Sequence, residues 1–327
     1  MTAAIGLAVV ACNRSEAPAA TTGTTEDQGV VAARAQVLDD LGRNVIIPGY
    51  LSLAENTAGL RSDLEAGCVS PAGHIEDLRQ SWLISLDNWL AIQSYRFGAL
   101  EELDLGATIF YPIDPAKVDQ NAVAGVSDLD AVGSDARGLG AIGRVLYSTD
   151  ELSEAACAYL EAMASQVAGA AGTVADAWSE RGEQGLSGTF PTTQAGIEMM
   201  VNDAINSVAE AAAYLGDPPA AVAPEHEDGR DFDEIEARII SVREIYQGAG
   251  GHGLSTLVRV AFVPTDERMT ERLQNAIQIL SAASSDPTSE EYLAAYDAVA
   301  AVHRTFTTEI ASQLGATLMF GDSDGDS

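Results

Sequence analysis

The sequence predicts an all-α protein built as two antiparallel helical bundles of the up-and-down, four-helix type. Three observations carry this expectation. Alanine is abundant, aromatic residues make up only 6% of the 327 residues, and β-branched runs are few, a balance that favours helices. Apolar residues recur at steps of three and four in both halves of the chain. The 11 prolines lie mostly at the edges of these periodic stretches. The length allows two domains. The expected division is a leader and tether over 1–28, a first bundle over 29–180 and a second over 181–327.

Periodicity begins near residue 30. Val37, Leu41 and Val45, then Tyr50, Leu53 and Leu60, keep close to helical spacing, with an interruption at Pro48 that predicts a kink. Pro71 is placed to open the next helix. That helix has the stripe Ile75, Leu78, Trp82, Leu86 and Trp89, and the same spacing continues to Gln93 and Arg96. Polar groups thus extend an inward-facing stripe and, if buried, require partners. Residues 98–135 lack sustained periodicity. So long a connection in a compact domain marks it for function. Two helices are predicted at about 136–148 and 150–170. "STDELSEAA" separates them, with Ser148 or Thr149 as cap and Glu151 or Glu154 near the positive helix end.

The Gly-rich stretch 181–193 leads into the second half. Ile197, Val201, Ala204, Val208, Ala211 and Leu215 form one helical face. "GDPPAAVAPEHEDG" breaks it. Ile235, Ile239, Val242 and Tyr246 define a shorter helix, and "GAGGHG" a turn. Met269, Leu273, Ile277 and Leu280 give another stripe, and a last helix runs from about 288 towards 318. Each half therefore supplies about four major helices, as a bundle needs.

Residues 1–28 stand outside this pattern. "AIGLAVVAC" is a short apolar run ending at Cys12. It resembles the end of a bacterial lipoprotein signal, in which cleavage leaves the cysteine as a lipidated N-terminus. The usual basic start is absent, and an ordinary secretory leader or a buried cysteine are the alternatives. "NRSEAPAATTGTTEDQ" at 13–28 is polar and reads as a flexible tether. No other segment is long and apolar enough to span a membrane. Contact with a membrane is therefore expected only through the lipid anchor. Cys68 and Cys157 remain as an even pair in an oxidising compartment, which predicts a disulfide, with two free thiols as the alternative.

The net charge of −32 argues against nucleic acid and against anionic lipid surfaces as partners. It indicates a solvated acidic surface rather than a specific site.

Four stretches resemble, in order, the imelysin-like family, also grouped as M75 peptidases. They are "NWLAIQSYRFGAL" at 88–100 with "YPID" at 111–114, "RGLGAIGRVLY" at 137–147, "GLSTLV" at 253–258 and "LGATLMFGDSDGD" at 314–326. The family usually carries Gly-x-His-x-x-Glu in the second of these. Here Gly138 stands, but Gly140 occupies the His position and Gly143 the Glu position. Residues three apart share a helix face, so the family's pair suits one metal ion. Gln93 stands where the family usually has a further Glu. The resemblance implies an exported periplasmic or cell-surface protein linked to iron uptake. It also places the helix of Gln93 and Arg96 beside the glycine segment.

These residues define a candidate pocket: Trp89, Gln93, Arg96, Arg137, Gly138, Gly140 and Gly143. Close helix packing at the glycines is the alternative. In a pocket, Arg96 and Arg137 would favour an anion or carboxylate. No metal and no cofactor is expected, and no catalytic residue is assigned. His74, His226, His252 and His303 are far apart in sequence, without metal-ligand spacing. Asp322, Asp324 and Asp326 alternate like part of a calcium loop but lack its closing Glu. Ser187 does not sit in a Gly-x-Ser-x-Gly elbow. The function expected is a non-catalytic binding component of a bacterial iron-uptake system. Its partner would be a small ligand or an envelope protein. A metallopeptidase and a ligand-free interaction module are the alternatives. The missing ligands weigh against enzyme activity.

Overall fold

The computed structural model describes residues 27–69, 74–216, 231–283 and 289–319. The readings on Cys12, Pro71, His226, the acidic tail at 321–327 and all but the last two residues of the tether lie outside them. Among the described residues the structure is helical, without strands. Helix α1 (Gln28–Leu41) starts inside the expected tether, because the Asp27 carboxylate accepts from Gly29 N at 2.9 Å and caps the helix. It runs on through a π turn (Gly42–Ile46) into α2 (Ile47–Val69). Pro48 therefore does not break the helix. The apolar stripe takes a five-residue step from Val45 to Tyr50, and the π turn, closed by Ile47 N bonding Gly42 O, absorbs the extra residue.

Helix α3 (Ile75–Ala91) is followed by short helices α4 (Ala99–Glu102) and α5 (Gly106–Ile109) and by α6 (Pro115–Ala124). The long connection expected over 98–135 thus contains a three-turn helix. Its signals are local: Asp114 caps it through Ala116 N at 3.0 Å, Pro115 opens it, and left-handed Gly125 closes it. Then come α7 (Leu139–Tyr147) and the 30-residue α8 (Glu154–Glu183). The cap of α8 is Ser153, whose hydroxyl accepts from Ala156 N. Ser148 ends α7 instead, and Thr149 turns locally onto Glu151. The second half holds α9 (Thr193–Gly216), α10 (Asp231–Gln247), α11 (Leu254–Arg259), α12 (Val263–Leu280), α13 (Glu290–Thr305) and α14 (Ala311–Leu314), with a π turn at Phe306–Ile310.

Helices α2, α3, α7 and α8 pack together, and α2 against α8 is the most extensive pair. Alanines 156, 164, 171 and 175 on α8 are buried and let the two helices approach closely. Helices α9, α10, α12 and α13 form a second group. Helix α1 packs on α9 and α11, and α3 on α10, so the groups are joined at two places. The stripes predicted for α9, α10 and α12 are buried, except that Ile277 is only partly covered.

Cys68 at the end of α2 and Cys157 at the start of α8 form a disulfide with Cα atoms 5.6 Å apart. It closes a loop of 89 residues. In the chain-entropy model such a bridge contributes about 4–5 kcal/mol. Cys68→Ser with Cys157→Ser should lower the unfolding free energy by up to that amount while helical circular dichroism is kept. Equal denaturant midpoints for the two proteins would refute the contribution.

Candidate functional site

The end of α3 builds the site. The helix stops at Ala91, so Gln93 and Arg96 do not continue its stripe as expected. They lie on a turn, 92–98, that leaves the helix inside the protein. Its backbone is satisfied from elsewhere. Tyr50 donates to Tyr95 O at 3.0 Å, Ser94 N donates to the Ser241 hydroxyl of α10 at 3.4 Å, and Phe97 N donates to Asp203 Oδ2 of α9 at 3.0 Å. Aromatic packing fixes the same turn. Trp178 stacks on Tyr50 and meets Phe97 edge-on at 5.6 Å. Gly98 then turns the chain at φ 68°, where a Cβ would lie 2.8 Å from the Trp178 ring.

Between this turn, the 100–112 connection, α9 and α10 lies a cavity of about 560 Å³. Trp89 and Phe110, stacked at 6.1 Å, form one wall with Phe97 and Leu100. The polar lining is Gln93, Arg96, Glu101, Asp104, Asp203, Glu210 and Arg238. Gln93 is buried and donates to Trp89 O at 2.9 Å. Both arginines grip one carboxylate: Arg96 reaches Glu210 Oε1 at 2.6 Å and Arg238 reaches Oε2 at 2.7 Å. The lining is therefore acidic on balance, and Arg96 is not held ready for an anion. Asp203 carries the perturbed titration. Burial pushes its carboxyl up to about 6, against the Phe97 N–H bond and the nearby Arg96, which both pull it down.

Of the expected pocket, Trp89, Gln93 and Arg96 line this cavity. Arg137, Gly138, Gly140 and Gly143 do not. Arg137 instead points its guanidinium at Leu129 O. Gly138 opens α7 at φ 88°, where a Cβ would lie 2.9 Å from Ile109 O, so both conformation and space demand glycine. At Gly140 a Cβ would meet Ile113 Cγ2 at 3.1 Å and Tyr111 O at 3.4 Å. Gly143 lies under the Trp82 indole, which is pinned by its Nε1–H bond to Leu139 O at 2.8 Å. The glycine segment therefore backs the wall of the cavity and opens no space of its own. The family's metal does not fit here, since Ile113 and Trp82 fill the volume an imidazole and a carboxylate would need. No group of three His, Cys, Asp or Glu side chains arranged for a metal occurs among the described residues.

Other sequence candidates have structural partners. His252 Nδ1 lies 2.6 Å from Asp40 Oδ2 and ties the glycine turn to α1. Buried Asp266 accepts from Tyr246, Ser255 and Arg259, which locks the "GLSTLV" segment to α12. Asp203, Glu210 and Arg238 are the site residues that the sequence did not reveal. Asp203 sits one position from the Val201–Ala204 stripe, a place that periodicity leaves polar.

A family model for the M75 peptidase, imelysin, matches residues 46–314. No curated protein matches the sequence. An imelysin-like protein from Psychrobacter arcticum 273-4 shares the fold at a TM-score of 0.77 and 16% identity, over 89% of this chain and 98% of that one. A Parabacteroides distasonis ATCC 8503 protein bearing the name iron-regulated protein A precursor does so at 0.71 and 15%, over 87% and 95%.

Two outcomes follow from the geometry. A Cβ at Gly143 would lie 2.3 Å from the Trp82 ring, whereas one at exposed Gly169 meets nothing within 4 Å. Gly143→Ala should therefore cost about 2–3 kcal/mol in denaturant unfolding, while Gly169→Ala stabilises by up to ~1 kcal/mol. Equal effects would show that Trp82 yields freely. By the same logic, Gly140→His with Gly143→Glu should lose stability rather than gain a metal. The second outcome concerns Asp203. A carboxyl held at about 6 in the fold, against 3.8 unfolded, keeps its proton longer when folded. Ionising it costs stability progressively as pH rises from about 4 to about 6, approaching 3 kcal/mol above that window. Asp203→Asn should remove this loss, so its advantage over wild type grows through the window and then levels off. Parallel stability–pH curves would refute the raised value.

The match spans most of the chain, and the helical architecture agrees with it: this protein belongs to the imelysin family.

Proposed function

We propose that this chain is an exported, non-catalytic binding protein that holds a small ligand in the cavity beside Trp89 and serves bacterial iron uptake. One observation carries the binding role: the chain interrupts α3 and enlists Asp203 and Ser241 from the other half to support a polar, aromatic-walled cavity. Such a cavity is large enough for a small molecule and combines apolar walls with a few oriented polar groups. The iron link is supported by family membership and by the name of the Parabacteroides relative. Export and lipid attachment at Cys12 complete the proposal, supported by the apolar run before that residue and by the Cys68–Cys157 disulfide. No described helix is long and apolar enough to cross a membrane.

The test uses the source bacterium with this gene deleted. Growth on limiting iron should fall, recover with the wild-type gene, and fail to recover with Trp89→Ala at equal protein level. Full recovery by Trp89→Ala would remove the cavity from the function. Fractionation of the same cells should find wild type with membranes and Cys12→Ser in the soluble fraction. An unchanged distribution would rule out the anchor.

A further inference from the structure

We propose that the cavity's ligand is a small organic cation, an ammonium or guanidinium compound, held by Asp203 and Glu101 against the aromatic wall of Trp89 and Phe110. This rests on the cavity being a binding site and adds the chemical class of what it binds.

Charge comes first. Four carboxylates line the cavity, from Glu101, Asp104, Asp203 and Glu210, against the guanidiniums of Arg96 and Arg238. Both guanidiniums are taken by Glu210. Glu101 and Asp104 make no ion pair among the described residues, and Glu101 adds its repulsion to the burial that makes the Asp203 charge costly. The cavity thus has negative charge whose partner is not supplied by its own wall. An anion would have to displace Glu210 from two arginines at once, which makes that class the poorer fit.

The walls then separate an organic cation from a metal ion. Aromatic faces attract cations through their quadrupole but lend no lone pair to a metal. Trp89, Phe97 and Phe110 supply such rings, within a volume of 560 Å³ that far exceeds one ion. No three-ligand cluster occurs among the described residues.

The experiment is calorimetric titration of the purified chain with choline, agmatine, dimethylbutanol (the uncharged isostere of choline) and benzoate. At least one of the two cations should bind, choline at least tenfold more tightly than dimethylbutanol if it is the one, and benzoate weakly or not at all. Trp89→Ala should weaken that binding at least tenfold. Asp203→Asn, which can still accept from Phe97 N, should abolish the preference for charge and leave the melting temperature at neutral pH no lower than wild type. Equal binding of choline and dimethylbutanol, or binding of benzoate alone, would overturn the cation and leave the cavity as a binding site. Binding by none of the four would overturn both.

Discussion

The bond from Phe97 N to the Asp203 carboxylate is the constraint on which the site depends. When a helix ends inside a protein, its freed backbone groups need partners, and water is not available to supply them. Here the partners are side chains from helices more than a hundred residues away. Asp203 therefore does two things at once. It closes the backbone of the turn that carries Gln93 and Arg96, and it is kept partly from ionising by the burial this requires. A carboxylate in that position is costly unless something else rewards it. A positively charged guest would do so, which is why the scaffold and the ligand class are connected through one residue.

The glycine segment contributes shape rather than side-chain chemistry. Glycine at 140 and 143 leaves no open volume, because Ile113 and the Trp82 indole fill it. Trp82 is in turn held by Leu139 O and by the edge of Tyr147, over which Arg79 lies while donating to Leu146 O near the end of α7 and to Thr149 O beyond it. Small residues on one helix have been matched by a large one on its neighbour. The result is a rigid backing for the Phe110–Tyr111 wall.

What the sequence made legible followed from periodicity. The stripes of α3, α9, α10 and α12 are readable because each buries one face against neighbours, and the disulfide follows from the pair of cysteines left once Cys12 is set aside as the anchor. Legibility failed where local chemistry overrode the period. The stripe from Ile75 to Trp89 invited extension to Gln93 and Arg96, but the helix ends at Ala91 and aromatic contacts take over. Helix α6 was hidden because its evident signs are caps, Asp114 and Gly125, with little apolar pattern between. Ser148 and Ser153 both precede acidic residues, so local sequence does not separate the cap of α8 from the end of α7. Asp203, Glu210 and Arg238 were out of reach: only tertiary packing brings them to Trp89, and Arg137, adjacent in sequence to the glycines, is carried away from it.

The unbroken run from α1 through the π turn into α2 has a mechanical consequence. Its first part packs on α9 and α11, its second on α8 and α3. A single shaft is thus shared by both groups of helices that border the cavity. Swinging one group away from the other would require snapping that shaft at the Gly42–Ile46 turn or stripping one end of it from its neighbours. Access to the cavity then involves the side chains that line it rather than a parting of the two groups.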